Sequence, residues 1–140
     1  MTELYIDAEN QIAGRLASRI VKELLKGKGV FVVNAEKAVI SGSPEFVVKD
    51  YIQKVERGDP YHGPFYPKHP DRILKRIVRG MIAHKKPRGR EAFRRLKVFI
   101  SVPEELKGKD LIKIKGAGKT PGLKSISLGK LSEKLGGKWR

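Results

Sequence analysis

The chain of 140 residues contains no cysteine. That excludes disulfides, thiol catalysis and zinc sites built on cysteine. Histidine is scarce as well. His62, His69 and His84 lie in different local contexts, and none stands with carboxylates at a metal-ligand spacing. Long hydrophobic runs are missing: nothing approaches the roughly 20 apolar residues a membrane-spanning helix needs. The opening "MTELYIDAEN" lacks the basic start and apolar stretch of a secretory signal, so the expected location is the cytoplasm. Asn, Gln and Met occur only twice each, against abundant Lys, Arg and Glu, a balance associated with proteins of hot-growing organisms. There is no internal repeat and no low-complexity tract.

Acidic residues are the other shortage, and it is local. The net charge is +16. Residues 1–67 are balanced, with nine basic and nine acidic side chains. Residues 68–97 carry twelve basic and two acidic, and residues 98–140 carry ten basic and four acidic. The first half reads as a neutral scaffold and the second as a surface for a polyanion. At 39% hydrophobic the composition suits one folded domain with a real core. A division into a scaffold (1–67), a basic helix and block (68–97) and a basic tail (104–140) follows from the charge map.

The periodicities place these charges on elements. "LYIDA" (4–8) and "VFVVNA" (30–35) are strand candidates. Between them Ile12, Leu16, Ile20, Val21, Leu24 and Leu25 recur at helical spacing, with Arg15, Arg19, Lys22 and Lys26 off that face. Gly27 and Gly29 stop the helix. Strand, helix and strand within about 30 residues predict a parallel βαβ unit. "KAVISG" is a further short apolar segment. In "SPEFVVKDYIQKV", Ser43 as a hydroxyl cap and Pro44 at the first helical position predict a second helix. Residues 56–71, with four prolines and two glycines, predict a loop that holds Tyr61, Phe65 and Tyr66.

"DRILKRIVRGMIAH" predicts an amphipathic helix from a cap at Asp71 to His84. Its face of Ile73, Leu74, Ile77, Val78, Met81 and Ile82 turns to the core, opposite Arg72, Lys75, Arg76 and Arg79. Pro87 and Gly89 are expected to break the basic block that follows, and "REAFRRL" reads as a short helix or turn. "LKVFISV" (96–102) reads as a strand, "DLIKIKG" as an alternating strand candidate and "SISLGKLSEKLG" as a short helix.

Among the motifs, "GAGKT" (116–120) invites comparison with a nucleotide-binding phosphate loop. The first glycine of that pattern falls on Lys113, and Pro121-Gly122 stands where the helix should begin, so a basic turn touching phosphate through Lys119 is the better reading. "GRLAS" lacks the spacing of a nucleophile elbow. The acids Asp7, Glu36, Asp50 and Asp59 are scattered, and no catalytic constellation emerges. The basic block differs, because its signs do not alternate. From His84 to Lys97 there are seven Lys or Arg residues and one acid, Glu91. Arginine dominates, and its planar fork matches phosphate oxygens and stacks on bases. No helix-turn-helix, zinc finger or heptad appears, which argues against a reader of duplex DNA sequence. The aromatic loop could stack an unpaired base or could simply pack on itself, and the residues leave both open. A membrane-surface role for the basic helix is the weaker reading, since its apolar face is needed by the sheet.

"GRLAS", "VFVVNAEKAVISG", the block "GPFYPKHPDRILKRIVRGMIAHKKPRGREAFRRLKVF" and the "VP" after it closely resemble the large-subunit ribosomal protein family L-thirteen, in its archaeal form, over residues 3–103. The resemblance implies an α/β fold: a single three-layer α/β/α domain with a mostly parallel central sheet and a basic C-terminal extension. It implies a structural role without enzyme activity, cofactor, metal, small-molecule substrate or membrane. The implied partners are large-subunit ribosomal RNA and neighbouring ribosomal proteins, with a part in early subunit assembly. The family pattern and the charge map coincide from Lys68 to Lys97. The expected RNA contacts are Lys68, His69, Arg72, Lys75, Arg76, Arg79, His84, Lys85, Lys86, Arg88, Arg90, Arg94 and Arg95, with Lys119 beyond them. Some of these are expected to pair with Asp71 or Glu91 instead.

Overall fold

The computed structural model describes residues 2–58, 61–63 and 65–139; Asp59, Pro60 and Pro64 of the proline-rich loop lie outside the described residues. Strand β1 (Glu3–Asp7) leads into helix α1 (Ala13–Leu25), and strand β2 (Gly29–Val33) returns parallel to β1. The pairing runs from Glu3 opposite Gly29 to Asp7 opposite Val33. This is the expected βαβ unit. Gly27, at φ +94°, ends α1 where a side chain would be strained. Asn34, at φ 57°, ends β2, and its amide Nδ2 donates to Asp7 Oδ1 at 3.0 Å. Strand β3 (Val39–Ser41) and helix α2 (Pro44–Glu56) follow. Pro44 opens α2 as expected, but the Ser43 side chain makes no capping hydrogen bond.

Helix α3 (Pro70–Met81), helix α4 (Pro87–Arg94) and strand β4 (Leu96–Val98) carry the basic block. β4 pairs parallel with β2, so the sheet runs β1-β2-β4 with every strand parallel. The expected strand over 96–102 is shorter, although Phe99 N–H still donates to Val32 O at 2.8 Å. "DLIKIKG" forms only a single bridge, Ile112 to Ile6. The last segment is strand then helix, not helix alone. Strand β5 (Ser125–Ser127) pairs antiparallel with β3, and helix α5 (Leu128–Lys134) follows, with Ser127 Oγ accepting from Lys130 N–H.

The alternation of side chains sorts the parallel sheet into two faces. Ile6, Val30, Val32 and Leu96 are fully buried on one face. α1 packs there with Leu16, Ile20 and Leu24, and α3 with Ile73, Leu74 and Val78. On the opposite face Tyr5 and Phe31 stack at 5.2 Å and Phe31 and Phe99 at 6.5 Å, all half-buried. The tail belongs to the core: Leu128 and Leu131 are fully buried, and α5 packs against α3. The α/β single domain with a mostly parallel sheet is therefore the observed fold.

One acid of α1 is turned inward. Glu23 is buried and pairs with Lys28 at 2.8 Å and Lys26 at 3.4 Å. The hydrogen bond from Lys28 is the main reason its carboxyl titrates below the ordinary value.

Candidate nucleic-acid interface

α3 begins differently from the sequence expectation. His69 is the residue before the helix, Pro70 fills its first position and Asp71 falls in the first turn. Proline suits that place because its missing N–H would have no partner there, and an acid in the first turn favours the helix dipole. The helix also stops earlier, at Met81. Ile82 is extended (φ −111°, ψ 148°) yet buried, so the apolar periodicity continues through a residue that is not helical.

The turn that follows is tight, with His84 N–H donating to Ile82 O at 2.8 Å. Lys86 is extended, as a residue before proline tends to be, and Pro87 opens α4. Pro87 and Gly89 thus do not break the block: one starts the second helix and the other lies inside it. Gly89 is buried, and a Cβ there would run into the carbonyl oxygen of Ala83. Only glycine lets the α4 backbone approach this turn so closely.

The start of the block is anchored from the far end of the chain. Ser132, fully buried in α5, donates its hydroxyl to the backbone oxygen of Lys68. Gly137 sits against the same carbonyl, where a Cβ would come within 2.7 Å of Lys68 O. The Lys68 side chain itself is exposed.

The expected contact residues divide into groups. Arg72, Lys75, Arg76 and Arg79 line one depression of about 420 Å³ together with Phe65, Tyr66, Pro67 and Phe93. Lys85, Lys86, Arg88, Arg90 and Arg94 are exposed on the turn and on α4, while His84 in the turn and His69 before α3 are half-buried. Arg90 Nη2 donates to Lys85 O at 3.3 Å. Arg95 is engaged by the fold: its Nη2 donates to Leu24 O at 2.7 Å at the C-terminal end of α1, where a cation opposes the helix dipole. Among the described residues no ion pair forms with Asp71 or Glu91, contrary to expectation; the pairs present are Lys26 and Lys28 with Glu23, and Lys54 with Asp50. The positive charge of α3 and α4 is therefore uncompensated by side chains among the described residues.

Lys119 stands apart from this block. It is exposed and borders a separate depression of about 890 Å³ that holds Glu9, Glu36 and Glu133 together with Lys37, Lys130 and Lys134. "GAGKT" does not form a phosphate loop. Ala117 O accepts from Ile12 N–H at 2.6 Å, Lys119 N–H donates to Asn10 O at 2.8 Å, and a turn rather than a helix follows at Pro121-Gly122. The segment is a backbone brace across the start of α1.

A second basic surface escapes the charge count by halves. Arg15, Arg19 and Lys22 of α1 meet Lys115 of the tail around a depression of about 210 Å³, and Arg15 Nη1 donates to Gly116 O at 3.2 Å. The sequence signal is the spacing of four cations off the apolar face of α1. The acids of the same half cancel them in the sum, but none of the described acids lines this depression.

No group of three or more His, Cys, Asp or Glu among the described residues could hold a metal ion. No described helix is long and apolar enough to cross a membrane. What the surface offers is a field of arginine and lysine, with aromatic rings interleaved beside α3.

Comparison with known proteins gives the family. The family model described as Ribosomal protein L13 matches residues 1–105. The large ribosomal subunit protein uL13 of Methanosarcina barkeri is 50% identical over 137 residues, covering 96% of this chain and 98% of that protein. The protein of the same name from Archaeoglobus fulgidus is 49% identical over 136 residues, covering 94% and 86%. That of Haloarcula marismortui is 42% identical over 134 residues, covering 96% and 91%. A parallel α/β domain with uncompensated basic helices, matched along nearly its whole length by these relatives, belongs to the Ribosomal protein L13 family.

Proposed function

We propose that the chain is a structural constituent of the large ribosomal subunit that binds large-subunit ribosomal RNA and supports early subunit assembly in the cytoplasm. As a member of a ribosomal-protein family it is not an enzyme. The observation that carries the RNA reading is the set of α3 and α4 cations that find no acidic partner among the described residues. Crowded like charges are stabilised by an anion, and phosphates supply it. Binding releases counterions from the nucleic acid, and the shape of folded RNA, not base edges in a duplex groove, supplies specificity. With about six phosphates neutralised, affinity falls roughly a thousandfold between 50 and 200 mM salt. Neighbouring ribosomal proteins are the further partners proposed.

The test is binding to a series of large-subunit ribosomal RNA fragments and to a scrambled folded RNA of equal length, across a salt series. The variant replaces Arg88, Arg90 and Arg94 by Ala and leaves Arg95, which holds α1. One fragment preferred at physiological salt is the expected result. The salt slope of the variant should be lower by about 0.9 for each phosphate it no longer neutralises. Equal binding to every RNA, vanishing as salt rises, would reduce the protein to a generic polyanion binder.

A further inference from the structure

The depression beside α3 contains more than phosphate binding calls for. Its volume of about 420 Å³ lies within the range of roughly 300–1,000 Å³ typical of small-ligand sites. Phe65, Tyr66 and Phe93 supply aromatic surface, Arg72, Lys75, Arg76 and Arg79 supply charge, and among the described residues no carboxylate lines it. Tyr66 and Phe93 are half-buried and pack on the core, so folding accounts for them. Folding does not account for Phe65. The residue is 74% exposed, and its ring is seated against Gly63, where a Cβ would come within 3.1 Å of it.

The charges already stand beside rings. Lys75 Nζ lies 5.3 Å from the centre of the Phe93 ring and Arg76 Cζ lies 5.9 Å from that of Tyr66. A duplex backbone crossing this place would satisfy the cations and leave the Phe65 face in water. An acidic peptide would do the same. A guest that satisfies both kinds of wall is flat, aromatic and attached to an anion.

We propose that this depression takes a single unpaired nucleotide of RNA, its base against Phe65 and its phosphate on the arginines of α3. The site rests on the RNA-binding reading above and adds to it a place where one base is held, sequence-tolerant because every base presents a π face. Extrusion of a base from the stack costs least at a bulge or loop, so the nucleotide comes from one of these.

The probe is the large-subunit ribosomal RNA fragment that binds tightest in the series described above. It is used intact and in forms in which one unpaired nucleotide at a time is made abasic, so that each phosphate stays and one base goes. One abasic form is expected to bind about 5- to 150-fold more weakly than the intact fragment. Phe65→Ala is expected to lose a similar factor on the intact fragment, nothing further on that abasic form, and none of the salt slope. Phe65→Tyr keeps the affinity. Because Phe65 is exposed, its replacement leaves the fold intact. If Phe65→Ala binds every form as wild type does while the Arg88, Arg90 and Arg94 variant is still weakened, the nucleotide site is overturned and the phosphate reading stands. If wild type prefers no fragment, the ribosomal-RNA reading is overturned and this site with it.

Discussion

At Gly89 the missing side chain is what joins two basic helices. The atom that a Cβ would meet is the carbonyl oxygen of Ala83, and backbone cannot swing aside as a flexible side chain can. Gly89→Ala should therefore lift α4 from the turn and cost about 1–3 kcal/mol, the usual penalty of overpacking. The check is a lower urea midpoint with an unchanged m value, together with weaker RNA binding, since Arg88, Arg90 and Arg94 travel with α4. In the sequence Gly89 reads as a break, because glycine inside a helix costs about 1 kcal/mol relative to alanine. The contact that makes it worth keeping lies across a turn that periodicity does not see. Glu23 gives a second test at this scale. When folded, its carboxyl titrates below the ordinary glutamate range, chiefly through the Lys28 hydrogen bond. A folded value below the unfolded one adds stability that is complete above the unfolded value and disappears as pH falls through the folded one. Wild type should exceed Glu23→Gln in stability at pH 7, and the gap should close on acidification to about pH 2. Urea midpoints of both proteins at the two pH values decide this; a gap independent of pH would mean that packing, not charge, makes the difference.

At the scale of elements, α1 and α3 face the same side of the sheet and each turns cations outward. The α3 stripe is plain in the sequence because acids are scarce around it. The α1 stripe is hidden in a half-chain whose charges cancel; Glu23, the acid of that helix, is turned inward and paired with Lys26 and Lys28. Arg19→Ala with Lys22→Ala should lower the salt slope of RNA binding by up to about 0.9 per residue and leave the thermal midpoint unchanged. Arg15 is kept in that variant because it holds Gly116 O. An unchanged slope would confine RNA to α3 and α4. Helix ends are the less legible feature of the sequence. The apolar pattern of α3 runs on to Ile82, which is buried whether helical or extended, so the pattern overshoots the helix by the residues of the turn.

At the scale of the molecule, the chain closes on itself. α5 fills the core with Leu128 and Leu131 and, through Ser132, fixes the backbone of Lys68 where the basic block begins. Leu128→Ala should cost about 2–5 kcal/mol, the range for a fully buried leucine. A domain of ordinary stability, about 5–15 kcal/mol, would lose a large share of it. Thermal or urea unfolding of the full chain measures this, and a cost below about 1 kcal/mol would show the tail to be an accessory.

The sequence by itself determined the βαβ unit, the basic character of residues 68–97 and most of the buried faces of α1 and α3, because apolar period, glycine stops and unbalanced charge are local signals; Leu25 and Met81, placed on those faces by period alone, are exposed at the helix ends. Only the tertiary structure decided which cations are free to bind. Arg95 is engaged at the end of α1, Lys119 stands in a different depression of mixed charge, and Arg15, Arg19 and Lys22 join Lys115 from the far end of the chain. It also decided that Phe65 stands in water among the arginines of α3. The physical reason is the same in each case: what a charged or aromatic side chain can do depends on its neighbours in space, and those are set by packing between segments that the linear pattern treats as independent.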